Sequence, residues 1–131
     1  CGGVVYDALA AADTIRASST PIITVVEGMA ASAATIISMM GDTRYIRPNS
    51  VMLIHQMRCG FYGKKIDVDD EVENIGQLEE KLLELYVNNT KLRRPELKKI
   101  LRKEIEYSAT KCLEVGLVDE IWEGYQKKRK R

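Results

Sequence analysis

A chain of 131 residues is long enough for one domain with a sizeable core and too short for two. Its 20 Lys and Arg nearly balance its 19 Asp and Glu, giving a formal net charge of +1, so the overall balance points to neither nucleic acid nor acidic substrates. No apolar run approaches bilayer length, and the opening residues carry no signal-peptide pattern.

Cys1, Cys59 and Cys112 are odd in number and far apart, which argues against a disulfide framework or a zinc site and fits a reducing compartment. His55 and Cys59 alone are too few for a metal. The opening Cys1-Gly2-Gly3-Val4 has no initiator methionine and reads like the interior of a longer protein, so an N-terminal part is expected to precede it. At the other end, residues 125–131 hold Lys127-Lys128-Arg129-Lys130-Arg131, expected to be a solvated, disordered basic tail.

In chain order, Val5, Leu9, Ala12 and Ile15 share one helix face that ends near Ser18. Pro21 restarts the chain, and Ile22 to Val26 form a continuous β-branched run, the pattern of a buried parallel strand. Glu27 to Thr35 then leads through Gly28 and small residues into a helix expected to run to Met40. Gly41-Asp42 breaks it. Thr43 to Ile46 and Val51 to Ile54 read as strands around Pro48-Asn49, followed by an irregular loop or edge strand from Met57 to Gly63.

A long amphipathic helix is expected from Val68 to about Asn88, with Val72, Ile75, Leu78, Leu82 and Leu85 on its apolar stripe. It overhangs a sheet this small, so its outer part is expected to pack on another subunit. Pro95 suits the first turn of a further helix carrying Leu97, Ile100 and Leu101 and ending at Glu104. Ser108 caps a last short helix closed by Gly116, and Leu117 to Ile121 returns as an edge strand.

Two residues in this order carry chemistry. Ser32, flanked by alanines at the start of a helix, sits beside free backbone N–H groups and a positive helix end, which suit a developing oxyanion. The same position also suits a plain N-cap. His55 follows a strand, where open α/β sheets gather their ligands, and it is the single histidine in the sequence. From pattern alone the reading stops at an α/β domain with a serine and a histidine at one sheet end.

Resemblance extends it. Gly2-Gly3 leading into Tyr6-Asp7 and Asp13-Thr14, Gly28-Met29-Ala30-Ala31-Ser32, Pro48-Asn49-Ser50, Met52-Leu53-Ile54-His55-Gln56, and Ser108-Ala109 through Gly116-Leu117-Val118-Asp119 occur in the order of a known family. The chain resembles the proteolytic subunit of the Clp protease, ClpP, a self-compartmentalising serine peptidase. The resemblance implies an α/β, crotonase-like fold of repeated β-β-α units with a protruding handle helix. On this resemblance the peptidase domain is expected to cover residues 1–124 with the handle region at about 61–90, and the N-terminal part of the family domain is expected to be missing.

It further implies Ser32 as nucleophile, His55 as general base, and the amides of Gly3 and Ala33 as oxyanion donors. Substrate would bind as an added strand between Val4-Val5 and Met57-Arg58. The family's acid is usually an aspartate four residues before the Ser-Ala of the last helix, and this chain has Glu104 there, with Glu106 as a fallback. Where the family's His-Gln is usually followed by proline and paired glycines, this chain has Met57, Arg58, Cys59 and Gly60, so Arg58 is expected to alter subsite preference or disturb the substrate strand.

The implied activity is that of a serine endopeptidase hydrolysing unfolded polypeptide inside an enclosed chamber. Its implied assembly is a homo-oligomer of stacked heptameric rings. No cofactor is expected in this chain, which lacks a phosphate-binding loop; ATP is used by a separate AAA+ Clp unfoldase. A cytoplasmic location is expected, or an organelle matrix or stroma. The alternatives are a phage-type head-maturation protease of the same kind and a non-catalytic structural ring subunit.

Overall fold

The computed structural model describes residues 2–124, so the basic tail lies outside the described residues. Helix α1 (Val5–Arg16) buries Ala8 and Ala12, whose small side chains let it pack closely on α2 (Ala33–Ser38). Strands β1 (Ile23–Val26) and β2 (Met29–Ala31) precede α2, separated by a turn at Gly28 with φ +74°, a conformation open to glycine without strain. Strands β3 (Thr43–Ile46) and β4 (Val51–Leu53) repeat the arrangement around Pro48-Asn49. These two strand pairs are the repeated unit of the α/β fold.

Two three-stranded sheets result. β1 pairs in parallel with β3, Val26 opposite Ile46, and β3 pairs with the short parallel β6 (Glu120–Ile121). β2 pairs in parallel with β4, Ala31 opposite Leu53, and β4 pairs antiparallel with β5 (Tyr107–Ser108). The turns are tied together: Gly28 N–H donates to Ser50 Oγ at 2.8 Å, and Val51 N–H donates to the Gly28 carbonyl at 2.9 Å. Between sheets and helices lies a core that includes Ile36, Met39, Ile46, Met52, Leu97 and Leu117.

Helix α3 (Lys65–Asn89) starts three residues earlier than its apolar stripe suggests, because the Asp67 carboxylate accepts the Lys64 N–H and closes the first turn. Its C-terminal third buries Leu83 and Tyr86, whereas Ile66 and Val72 remain exposed on the outer part. The expected overhang is present. Helix α4 (Arg94–Leu101) has Pro95 in its first turn and a fully buried Leu97, and ion pairs from Arg94 to Glu80 and Glu84 bind it to α3. Helix α5 (Ala109–Glu114) is capped by Ser108 Oγ, which accepts the Lys111 N–H.

Several expectations need correction. β1 is parallel as read but stands at the edge of its sheet, and Ile23 is 62% exposed, so its apolar run is not that of a buried strand. No strand is expected from the sequence at β2 or β5; Met29-Ala30-Ala31 has little strand propensity, Tyr107-Ser108 is only two residues long, and both are extended because β4 pairs with them. Helix α2 stops at Ser38, and α4 stops at Leu101, leaving Glu104 outside the helix. The last strand narrows to two residues because only Glu120 and Ile121 pair with β3. Residues 54–63 form neither helix nor strand.

Candidate active site

Adjacent parallel strands end side by side, and this alone brings the serine and histidine together. Ser32 directly follows β2, His55 lies two residues beyond β4, and the Ser32 N–H donates to the Leu53 carbonyl at 2.8 Å. The chain after His55 is held from the other side, since Gln56 N–H donates to the Leu101 carbonyl at the end of α4 at 2.9 Å. Ser32 and His55 both line one cavity of about 250 Å³, walled by Val5, Ile36, Met57, Leu83 and Leu101 and edged by Glu79, Lys98 and Arg102.

Ser32 has φ 55° and ψ −128°, the one positive φ at a residue other than glycine among the described residues. Such a conformation costs on the order of 1–3 kcal/mol and persists only where the surroundings enforce it. Strained strand-to-helix turns of this type push a serine hydroxyl out of the backbone into the open. Ser32 is therefore no conventional N-cap, and its side chain accepts no capping hydrogen bond.

Enforcement comes from three sides. Ser32 N–H is fixed to Leu53, the Ser32 carbonyl accepts both the Thr35 N–H at 2.9 Å and the Thr35 Oγ1–H at 2.6 Å, and Gly2 packs against the side chain. A Cβ on Gly2 would lie 2.6 Å from Ser32 Cβ and 3.2 Å from its Oγ, so only glycine fits there. At Gly3, by contrast, a Cβ meets nothing within 4 Å. Ala33 opens α2, whose first turn leaves N–H groups free of intrahelical acceptors. Of the segments expected to receive substrate, Val5 and Met57 line the cavity, while Val4 and Arg58 are exposed beside it.

Glu104 lies near His55 but is engaged elsewhere. The Arg58 guanidinium pairs with its carboxylate, and this contact, with a smaller contribution from His55, holds the carboxyl below the usual range. Glu106 is exposed. Among the described residues no group of His, Cys, Asp and Glu could hold a metal ion, and no helix is long and apolar enough to cross a membrane. Cys112 is buried, with its thiol pushed up to about 11 by desolvation, so it is not a nucleophile. Cys59 is free and exposed.

Four residues to which the sequence assigns no role support the site: Gly2 against Ser32, Gln56 on the Leu101 carbonyl, Thr35 on the Ser32 carbonyl, and Tyr86, which bonds to Thr35. Thr35 stands one helical turn after Ser32, a spacing at which a threonine hydroxyl reaches back to a carbonyl. That signal was available.

A sequence model of the Clp protease family matches residues 1–125. The chain belongs to the Clp protease family. Among curated proteins, the ATP-dependent Clp protease proteolytic subunit of Deinococcus radiodurans is 33% identical over 122 residues, which is 92% of this chain. The chain spans 60% of that relative's length. The Clp protease match covers both strand pairs, the long helix α3 and the last helix, so the crotonase-like reading of the fold holds along the whole described chain.

Proposed function

We propose that this chain is a ClpP-type serine endopeptidase subunit, with Ser32 as nucleophile, His55 as general base and Glu104 as the acid that orients it. The observation that carries the reading is the shared cavity at the ends of β2 and β4, which Ser32 and His55 both line. His55 takes the Ser32 hydroxyl proton as Oγ attacks the scissile carbonyl carbon. The proton then passes to the leaving amine, the peptide bond breaks, and water hydrolyses the acyl-enzyme by the same route in reverse.

Amides of Gly3 and Ala33 receive the oxyanion in this proposal, and the peptide lies extended between Val4-Val5 and Met57-Arg58. The apolar wall of Val5, Ile36, Leu83 and Leu101 favours an apolar side chain next to the cleaved bond. Homo-oligomeric rings enclose the site, and the exposed Ile66 and Val72 on the outer part of α3 supply apolar surface for the neighbouring subunit. A separate AAA+ unfoldase supplies unfolded polypeptide and uses the ATP; this chain brings no cofactor.

The pairing of Glu104 with Arg58 favours a second reading, a structural ring subunit that does not cleave. Hydrolysis of a fluorogenic peptide with an apolar residue before the cleaved bond separates the two. Turnover by the wild type that is lost in both Ser32→Ala and His55→Ala supports the peptidase; an inert wild-type oligomer supports the structural subunit.

A further inference from the structure

A buried tyrosine on α3 reaches the strained turn at Ser32 through one intermediate hydroxyl. Tyr86 is 5% exposed and Thr35 fully buried, and the two hydroxyl oxygens lie 2.5 Å apart although the residues are 51 positions apart in sequence. Burial pushes the Tyr86 hydroxyl up to about 12, so it is neutral throughout the working pH range. A hydroxyl in such an apolar setting is costly unless it is bonded, and its partner here is Thr35.

The direction of the bonds follows from counting protons. Ser32 carbonyl oxygen can only accept, so the Thr35 hydroxyl proton points to it at 2.6 Å. Tyr86 must then donate to Thr35 Oγ1. The resulting chain runs from Tyr86 O–H through Thr35 O–H to the Ser32 carbonyl, each bond polarising the next.

The peptide that carries the Ser32 carbonyl also carries the Ala33 N–H, on the opposite edge of one planar unit. Anchoring the oxygen therefore aims the N–H. We propose that Tyr86 and Thr35 are positioning residues that orient and polarise the Ser32–Ala33 peptide so that the Ala33 N–H can stabilise the oxyanion, coupling helix α3 to the chemistry at Ser32. This rests on the reading of Ser32 as nucleophile and adds two residues to it. Neither touches the reacting atoms.

The test is steady-state hydrolysis of a fluorogenic peptide by the full chain at 25 °C, comparing wild type, Tyr86→Phe, Thr35→Val and Thr35→Ser. Loss of an oxyanion donor outright lowers turnover about 100- to 1,000-fold, so loss of its aim is expected to lower kcat about tenfold with KM changed less than about twofold. Thr35→Ser keeps the hydroxyl and retains most of the wild-type kcat. The double variant Tyr86→Phe with Thr35→Val is no slower than Thr35→Val alone, because both act through one bond. If Tyr86→Phe and Thr35→Val melt earlier but turn over at the wild-type kcat, the pair is only structural and the inference fails while the peptidase reading stands. If the wild type itself is inert, the peptidase reading fails and the inference falls with it.

Discussion

Arg58 grips the carboxylate of Glu104, joining the irregular segment three residues past His55 to the segment beyond α4. The acid proposed to serve His55 is thus shared with a cation. Both partners are largely exposed, 74% and 59%, so the pair adds little to folding. Its consequence is chemical. Arg58→Ala is expected to leave the melting temperature unchanged and to raise peptidase turnover several-fold by freeing Glu104, whereas Glu104→Gln lowers turnover by at least about tenfold. Assay of both variants checks this; a slower Arg58→Ala enzyme would mean that Arg58 assists the site.

The backbone at Ser32 gives a stability prediction with an unusual sign. Glycine adopts a positive φ freely and alanine does not. Ser32→Gly is therefore expected to be more stable than Ser32→Ala by about 1 kcal/mol. Urea unfolding of the two variants measures the difference, and equal midpoints would remove strain from the account.

Two adjacent glycines should respond unequally to the same change. Gly2→Ala forces a methyl group to 2.6 Å from Ser32 Cβ and is expected to slow acylation of Ser32. Gly3→Ala meets no such obstacle in the free chain, so any loss it causes must come from crowding the bound peptide and appear when substrate is present. Reaction rates with a small fluorophosphonate and with a peptide substrate, compared across both variants, distinguish the two effects.

Away from the site, Arg44 secures the return of the chain to β3. Its guanidinium donates to both Asp119 oxygens and to the Asn89 carbonyl at 2.7 Å, and Asp119 N–H returns a bond to the Arg44 carbonyl at 2.8 Å. Hydrogen bonding from Arg44 holds the Asp119 carboxyl below its usual range. A carboxyl lowered on folding stabilises the protein above its unfolded pKa of about 3.9, and the contribution is lost as pH falls through the folded value. Asp119 is 43% exposed and partly screened by water, so Asp119→Asn is expected to cost about 1 kcal/mol at pH 7. The gap should narrow progressively as pH falls below the unfolded value of about 3.9 towards the lowered folded one. Urea midpoints measured from pH 7 downwards test it.

How much of this was legible in the sequence differs from element to element. β3 could be read within its own residues, since Thr43-Arg44-Tyr45-Ile46 favours strand and Pro48-Asn49 ends it. The stripe of α3 was readable because an amphipathic repeat survives among many charges. β2 could not be read, because three small or flexible residues become a strand only when Val51 to Leu53 pairs with them. The same pairing decides the site: Ser32 and His55 are neighbours because Ala31 and Leu53 are in register, a fact of tertiary structure that single-chain periodicity does not carry. Resemblance supplied what pattern did not. Neither one foresaw the Tyr86 hydroxyl beneath Thr35 or the pairing of Glu104 with Arg58, because each depends on side chains about fifty residues apart meeting in the fold.

Covalent labelling tests most directly whether the Ser32 hydroxyl is an activated nucleophile. The chain treated with a fluorophosphonate and mapped by mass spectrometry is predicted to carry the adduct on Ser32, with the label lost in Ser32→Ala and strongly slowed in His55→Ala. An unlabelled wild type, or equal labelling of wild type and Ser32→Ala, would contradict it.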